Sequence, residues 1–406
     1  MTLLSLASKQ IWPQVLAVAH LKPERVFLLH SEDAAESKGP AQRLQRLFDE
    51  SGLVLKGATQ LEPIPHDDFS AIESRFDEIV ARHQLNLGEC VVNFTGGNKL
   101  MATAVFRRVA RRGVRAFYLE RGNLVTWFEP RDGDMLTHSK PLPAGMTNHL
   151  DAAALLACQF GDQAVQFQGE QLTLKEKGAK IVPQDLAAKL QGETRLDRRA
   201  FDFRKWLHIE NPSPRQPNEG DNLEYGTACA LLWAGVPALR RSVELATLPT
   251  SQLLMRRMVK VGQSSERVEL ATLPTSQLLA GELDLVFNWN GRLWVVDCKD
   301  RVGGETKIDA LRTALLSGGG SGRQTEALLQ SVAEDLKDRD IKILREDLLQ
   351  ISEVGGLLGC ALAVRSTRAP QQAIEFATSR HPQVEILLKS DLVKLLPAIL
   401  AGRRPR

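Results

Sequence analysis

Two carboxylates and a lysine lie on adjacent predicted strands in the segment Gly281–Lys299, which reads G-E-L-D-L-V-F-N-W-N-G-R-L-W-V-V-D-C-K. Asn290-Gly291 between two apolar runs predicts a two-residue type I′ turn, because both central residues of that turn need a positive φ. Counting outward from the turn places Asp284 opposite Asp297, and the two-residue period of a strand places Lys299 on the face of Asp297. Because like charges that face each other destabilise a sheet, we expect a divalent metal ion to compensate them.

Paired carboxylates are suited to holding Mg²⁺ or Mn²⁺, since both ions prefer oxygen ligands. A metal ion in such a site activates water and stabilises negative charge on a phosphate, which are the requirements of phosphodiester hydrolysis. Lys299 would then orient or deprotonate the water, or stabilise the developing charge. The alternative is that Lys299 is only a salt-bridge partner of Asp297 or Asp284.

A third carboxylate, Glu224, precedes the hairpin on a helix predicted to begin in the segment Gly220–Tyr225. A helix with an acid, a strand with an acid and a strand with acid-x-Lys form the order of the PD-(D/E)xK nuclease core, and residues from about 216 to 400 resemble that family. The resemblance implies that the three acids bind the metal and that four residues are catalytic: Glu224, Asp284, Asp297 and Lys299.

The chain departs from the family motif at two positions. Leu283 precedes Asp284, so the proline of the motif name is absent, and Asp297 stands where the family often has Glu. Glu224 also has a simpler interpretation, because an acid in the first turn of a helix compensates the helix dipole.

A second segment whose residues could bind a ligand is Asn93–Met101, N-F-T-G-G-N-K-L-M. It follows an apolar strand and begins a helix. Glycines allow the backbone to approach a ligand closely, and free N–H groups at a helix start favour phosphate. Lys99 adds a positive charge and Thr95 a hydroxyl. The alternative is a tight turn with a solvated lysine, since neither a P-loop nor G-x-G-x-x-G is present.

The elements around this segment alternate between short apolar strands and amphipathic helices, which predicts an α/β parallel sheet over about the first 145 residues. Strands are predicted at 3–6, 25–30, 89–94 and 115–119, the last with a hairpin partner at 124–128. Helices are predicted at 11–20, 41–50, 68–83 and 98–112.

Residues 1–145 resemble the CARF family, the CRISPR-associated Rossmann-fold sensors. The resemblance rests on T-G-G-N-K-x-M after the fourth-strand position, on the polar loop Ser8-Lys9-Gln10 after the first strand, and on Leu21–Leu29 leading through the second strand. It implies a homodimer that binds cyclic tetra-adenylate across its two-fold axis. The residues implied to line that pocket are Ser8, Lys9, Gln10, His30, Ser31, Thr95, Gly96, Gly97, Asn98, Lys99 and Met101.

The fold class expected for the whole chain is therefore α/β, with three parts. Residues 1–145 form a Rossmann-like CARF domain, 146–215 an irregular helical segment that could include a winged-helix-like element, and 216–406 an α/β restriction-endonuclease-like domain. Together they resemble the cyclic-oligoadenylate-activated nucleases of type III CRISPR defence, which act on DNA or RNA. The alternative is a non-catalytic, ligand-responsive regulator that binds nucleic acid.

Composition adds only broad limits. The net charge of +3 over 406 residues does not indicate a basic nucleic-acid-binding arm. The five cysteines include no C-x-x-C pair, which indicates a reducing compartment and argues against a cysteine-held zinc site. With no signal-peptide pattern and no long apolar run, we expect a cytoplasmic protein without membrane contact.

An internal repeat precedes the hairpin. Val243–Leu254 and Val268–Leu279 are identical, V-E-L-A-T-L-P-T-S-Q-L-L. Two copies are too few for a solenoid. Since the second copy runs almost directly into the hairpin, we expect it to hold the standard position and the first copy to be surplus.

Overall fold

A computed structural model describes residues 1–120, 123–131, 133–176, 184–191, 203–213, 221–245, 281–299, 360–366 and 384–402. The described residues form an α/β protein with two sheets, which confirms the predicted fold class. None of the described helices is long and apolar enough to cross a membrane.

The first sheet has seven strands in the order β3-β2-β1-β4-β5-β6-β7. The strands are β1 (Thr2–Leu6), β2 (Arg25–His30), β3 (Thr59–Pro63), β4 (Cys90–Asn93), β5 (Arg115–Glu120), β6 (Leu124–Arg131) and β7 (Asp134–Pro141). The first five strands are parallel, and β6 and β7 extend the sheet as antiparallel strands.

Helices cover both faces of this sheet, as a parallel sheet requires. They are α1 (Trp12–Leu21), α2 (Gly39–Ser51), α3 (Phe69–Arg82) and α4 (Lys99–Arg111). One hydrophobic cluster joins β1 and β2 to α1 and α2, and a second joins them and β4 to α3 and α4. Side-chain caps set two of the starts: Asp68 accepts from Ala71 N at 2.7 Å, and Asn98 accepts from Met101 N at 2.8 Å.

The second sheet is ordered β10-β9-β11-β12-β13-β14-β15, with β8 also paired to β11. Its strands are β8 (Val165–Phe167), β9 (Glu170–Leu174), β10 (Leu207–Glu210), β11 (Leu239–Leu245), β12 (Gly281–Trp289), β13 (Arg292–Lys299), β14 (Cys360–Arg365) and β15 (Val384–Leu388). The helices of this half are α5 (Ala152–Phe160), α6 (Gln184–Gln191), α7 (Asp221–Trp233) and α8 (Leu392–Leu400).

The middle segment, predicted to be helical, holds α5 and α6 and also the strands β8, β9 and β10, which the sequence did not indicate. These strands are only three to five residues long, and each contains just two alternating apolar residues, which is too few to indicate a strand. They pair with one another or with β11 and thereby belong to the second sheet.

Two hydrophobic clusters cover the second sheet. One contains Leu285, Phe287 and Trp294 together with α7 and α8. The other contains Val286 and Val295 and continues through α5 into α1, α2 and the first sheet. The two halves of the chain therefore share one hydrophobic core.

The start of the first repeat copy lies inside the second sheet, because Val243–Leu245 belong to β11 and pair with β12. This differs from the expectation that the first copy is surplus. The rest of the first copy and all of Val268–Leu279 lie outside the described residues.

Candidate active site

The hairpin that carries the two facing acids has the predicted geometry. Asn290 and Gly291 have φ values of 51° and 72°, as a type I′ turn requires. Trp289 pairs with Arg292, and the register runs without interruption to Leu285 and Val296. Asp284 and Asp297 are the next residues on the two strands beyond this paired stretch, and Lys299 Nζ lies within 3.9 Å of a carboxylate oxygen of each.

Lys299 lies between the two carboxylates. Its Nζ is 2.7 Å from Asp297 Oδ1 and 3.9 Å from Asp284 Oδ2. Asp284 Oδ2 also accepts a hydrogen bond from the backbone N–H of Cys298 at 2.6 Å. The structure therefore brings together three of the four predicted catalytic residues at the end of β13.

A fourth charged group, Arg365 at the end of β14, completes this cluster. Its Nη1 is 2.7 Å from Asp297 Oδ2 and donates to the Asp297 carbonyl oxygen at 3.0 Å. Lys299 and Arg365 are register partners on the parallel strands β13 and β14. Each oxygen of the Asp297 carboxylate is thus paired with a different cation.

The two facing acids have opposite electrostatic environments. Burial, followed by the negative charge of Asp297, raises the pKa of Asp284 to about 7. Burial alone would also raise the pKa of Asp297, but the charges of Arg365 and Lys299 outweigh it and lower that pKa. In the absence of another cation, the site therefore favours an ionised Asp297 and a partly protonated Asp284 at neutral pH.

Glu224 lies on α7 as predicted, but its carboxylate is held by Arg241 of β11. Arg241 Nε is 2.8 Å from Glu224 Oε2, and the other guanidinium nitrogens contact Asp221 at 2.8 Å and Glu170 at 2.9 Å. Burial and then the charge of Asp284 raise the pKa of Glu224 to about 8 despite Arg241. Asp284 and Glu224 are thus close enough to interact electrostatically.

The donor set at the hairpin suits a hard divalent cation, since Mg²⁺ is commonly held by one or two carboxylates plus water and substrate phosphate. Asp284 and Asp297 supply two such carboxylates. Within the described part of the chain, no three His, Cys, Asp or Glu side chains form a group that could hold a metal ion. The structure thus gathers two of the three predicted metal ligands, and Glu224 contacts Arg241 instead.

The predicted ligand loops of the N-terminal half meet at one place in the first sheet. Ser8–Gln10 follow β1 and Thr95–Met101 follow β4, and these neighbouring strands lie where the strand order reverses. Gly97 N–H donates to the Ala7 carbonyl at 3.1 Å and joins the two loops. Open α/β sheets bind ligands beyond the carboxyl ends of their strands at such a reversal.

Hydrogen bonds fix the start of the second loop. Thr95 Oγ1 donates to Asn93 Oδ1 at 2.6 Å and accepts from Leu119 N at 2.8 Å. The Asn93 amide in turn donates to Ser5 Oγ at 3.0 Å, and both Asn93 and Ser5 are fully buried. Asn93 therefore joins the ends of β1 and β4, a role that its position at a strand end did not reveal.

The predicted ligand residues differ in their exposure. Three are exposed: Lys9, Asn98 and Lys99. Four are half-buried: Ser8, Gln10, Thr95 and Gly97. The other four are buried and present little side-chain surface to a ligand: His30, Ser31, Gly96 and Met101.

Gly96 has a packing role that is independent of any ligand. A Cβ at this position would lie 1.9 Å from the Leu6 carbonyl oxygen and 2.6 Å from Gln14 Nε2. The glycine thus allows the loop after β4 to approach the end of β1.

Arg241 and Arg365 are site residues that the sequence analysis missed. Their signal is a basic residue inside or at the end of an apolar strand, L-R-R-S-V for Arg241 and A-L-A-V-R for Arg365. A charged residue in such a strand needs a buried partner, although the sequence alone does not identify that partner.

Solved structures of two proteins share the fold of this chain. Can2 from Sulfobacillus thermosulfidooxidans, solved in complex with cyclic tetra-adenylate, is 15% identical with a TM-score of 0.54, and the match covers 98% of this chain and 96% of that one. Protein VC1899 from Vibrio cholerae is 12% identical with a TM-score of 0.54, covering 99% and 97%. No family model and no curated protein sequence matches the chain. At these identities the likeness establishes a common fold.

Proposed function

We propose that the protein is a metal-dependent nuclease that hydrolyses phosphodiester bonds of DNA or RNA and is activated by a cyclic oligoadenylate in type III CRISPR defence. The observation that carries the nuclease activity is the convergence of Asp284, Asp297 and Lys299 at the end of β13. This convergence follows from an uninterrupted hairpin register, and it reproduces the acid, acid-x-Lys arrangement of the PD-(D/E)xK family.

Asp284 and Asp297 would hold Mg²⁺ or Mn²⁺, which supplies Lewis-acid stabilisation of negative charge and activates water. The Lys299 ammonium, oriented by both acids, donates hydrogen bonds to the attacking water or to a non-bridging phosphate oxygen. In hydrolysis the attacking water loses a proton to bulk solvent, its oxygen forms a bond to phosphorus, and the opposite P–O ester bond breaks. The departing oxygen takes up a proton.

The activator is proposed from the N-terminal half. Its ligand loops meet where the strand order reverses, and Can2, which has the same fold, is solved with cyclic tetra-adenylate. We propose the same ligand for this chain, bound by a homodimer through Ser8–Gln10 and Thr95–Met101. Among these residues, Lys9, Asn98 and Lys99 have exposed side chains, and the two lysines carry the positive charge that would favour phosphates.

A cleavage assay with site variants tests the nuclease proposal. Plasmid, single-stranded DNA and single-stranded RNA are incubated with Mn²⁺ and cyclic tetra-adenylate. Asp297→Ala and Lys299→Ala should each lower the rate by about 100-fold or more, as expected for loss of a group that stabilises the transition state. Cys298→Ala is the matched control, because its thiol contacts Thr227 of α7 at 3.7 Å and the substitution keeps the backbone N–H that binds Asp284.

Cleavage that survives both variants would overturn the site assignment. Two contacts favour the regulator alternative, because Arg241 pairs with Glu224 and Arg365 pairs with Asp297. Tight, metal-independent binding of nucleic acid without cleavage would support that alternative instead.

A further inference from the structure

Arg365 occupies a distinctive place beside the proposed metal site. Its side chain is only 12% exposed, and Nη1 contacts Asp297 Oδ2 at 2.7 Å while Lys299 holds Oδ1 at 2.7 Å. The same nitrogen also donates to the carbonyls of Asp297 and Val364 at 3.0 Å each. The guanidinium is therefore anchored at the end of β13 and pairs with a carboxylate oxygen that a metal ion would need.

When both acids are ionised, the charges of Asp284 and Asp297 balance those of Lys299 and Arg365. A divalent ion would bring the cluster to two positive charges. A phosphodiester carries one negative charge, and attack by hydroxide gives a pentacoordinate phosphorus with two. With both acids ionised, the four side chains plus the metal ion thus match the charge of the transition state.

We propose that Arg365 is a further substrate-binding residue that occupies Asp297 in the metal-free protein and transfers to the scissile phosphate when a metal ion binds. Arginine suits this exchange, since it is always charged and its planar group binds carboxylate and phosphate oxygens in the same way. Arg365 and the metal ion then compete for Asp297 in the resting protein. This inference rests on the proposed nuclease function and adds a residue to its site.

The test measures Mn²⁺ affinity by titration calorimetry on the full chain without nucleic acid, and then measures cleavage. Arg365→Gln removes a competing cation, so it should bind Mn²⁺ at least about fivefold more tightly than wild type, as expected for an ordinary coupling free energy. Its cleavage rate should nevertheless fall by about 100-fold. Tighter metal binding with slower cleavage is a pair of results that a merely structural arginine would not give.

Arg292→Gln is the matched control, because Arg292 begins β13 and lies about 20 Å along the strand from Lys299 at ~3.3 Å per residue. It should change neither measurement. Arg365→Lys keeps the charge without the planar fork, so the expected order of Mn²⁺ affinity is Arg365→Gln, then Arg365→Lys, then wild type. If Arg365→Gln does not fold, the comparison of Arg365→Lys with wild type still tests the inference, because Arg365→Lys should bind Mn²⁺ more tightly than wild type.

Two results overturn the inference while the proposed function stands. One is that wild type binds Mn²⁺ and that Arg365→Gln and Arg365→Lys bind it with the same or lower affinity. The other is wild-type cleavage by folded Arg365→Gln. Failure of the wild-type protein to bind Mn²⁺ at all would overturn the proposed function and this inference with it.

Discussion

Asp284 and Asp297 face each other across two strands, yet their surroundings make them chemically different. Asp297 has a cation on each carboxylate oxygen, which lowers its pKa. Asp284 accepts a hydrogen bond from the Cys298 backbone N–H and lies farther from the Lys299 ammonium. Burial raises its pKa to about 7. Ionisation of Asp284 therefore costs stability in the metal-free protein, whereas ionisation of Asp297 contributes to it.

The first prediction is that neutralising these two acids has opposite effects on stability in EDTA. A folded pKa of about 7 lies above the unfolded value, so the charged form of Asp284 costs stability, and the cost grows from about pH 4 to about pH 7 and is then constant. Asp284→Asn should raise the melting temperature at pH 8, by roughly 2–4 °C for each kcal/mol. This gain should shrink towards pH 4.

Asp297→Asn should instead lower the melting temperature at pH 8. The lowered pKa of Asp297 means that its stabilisation is present above the unfolded pKa and is lost as pH falls through the folded pKa. Scanning calorimetry between pH 4 and 8.5 measures both variants. If the two variants shift stability in the same direction at pH 8, the assigned difference between the acids is wrong.

At the scale of elements, Arg241 connects α7, β9 and β11. Its side chain is 5% exposed and contacts Glu170, Asp221 and Glu224, and its guanidinium carbon lies 4.3 Å from the Tyr225 ring centroid. Tyr225 OH also donates to Glu170 Oε2 at 2.9 Å. Because Arg241 pairs with acids of both α7 and β9, it holds the start of α7 against the sheet.

We therefore predict that Arg241→Met lowers the free energy of unfolding by about 3–5 kcal/mol, because breaking a buried ion pair leaves uncompensated charge. The control is Arg115→Met, which removes a half-exposed pair with Glu129 at 3.0 Å and should cost less than about 1 kcal/mol. Urea unfolding at pH 7.5 compares them. Equal effects of the two substitutions would show that the Arg241 cluster does not hold α7 in place.

The elements that sequence predicted best are those with strong local signals. The Asn290-Gly291 turn sets its own φ values and, through the two-residue period, the register that pairs Asp284 with Asp297. β3 (Thr59–Pro63, T-Q-L-E-P) and β7 (Asp134–Pro141, D-M-L-T-H-S-K-P) were missed because they are polar and lie at the sheet edges. Their strand character comes from pairing with neighbours.

The contacts that complete the site were not predictable for a different reason. Arg365 reaches Asp297 across 68 residues of sequence, and Arg241 reaches Glu170 across 71. No motif spacing encodes either contact, since both depend on which strands become neighbours. The sequence therefore indicated the acids and the lysine but not the arginines that determine how those acids are charged.

At the scale of the whole molecule, the hairpin of the candidate active site is attached to the N-terminal half at its turn. Asn290 N–H donates to Asn148 Oδ1 at 2.7 Å, and the Asn123 amide donates to the Asn290 carbonyl at 2.5 Å. Gly291 packs closely against Leu16 of α1, since a Cβ there would lie 2.8 Å from Leu16 Cδ2. One end of the hairpin thus contacts the half with the ligand loops, and the other end carries the acids.

This attachment gives the proposed activation a physical route. A ligand at the ends of β1 and β4 can change the nuclease site only if it binds one arrangement of the dimer more tightly than another. Because the two halves share a hydrophobic core, we expect each candidate active site to move with the N-terminal half of its own subunit. Activation would then come from how the two subunits are arranged.

The most direct measurement of this account is the initial rate of plasmid and single-stranded DNA cleavage in Mn²⁺, with and without cyclic tetra-adenylate, for wild type and Asp297→Ala. Wild-type cleavage should rise at least about fivefold with the ligand, and Asp297→Ala should be inactive in both conditions. Wild-type cleavage that is the same with and without the ligand would contradict the central claim that the N-terminal half senses the nucleotide and controls the hairpin site.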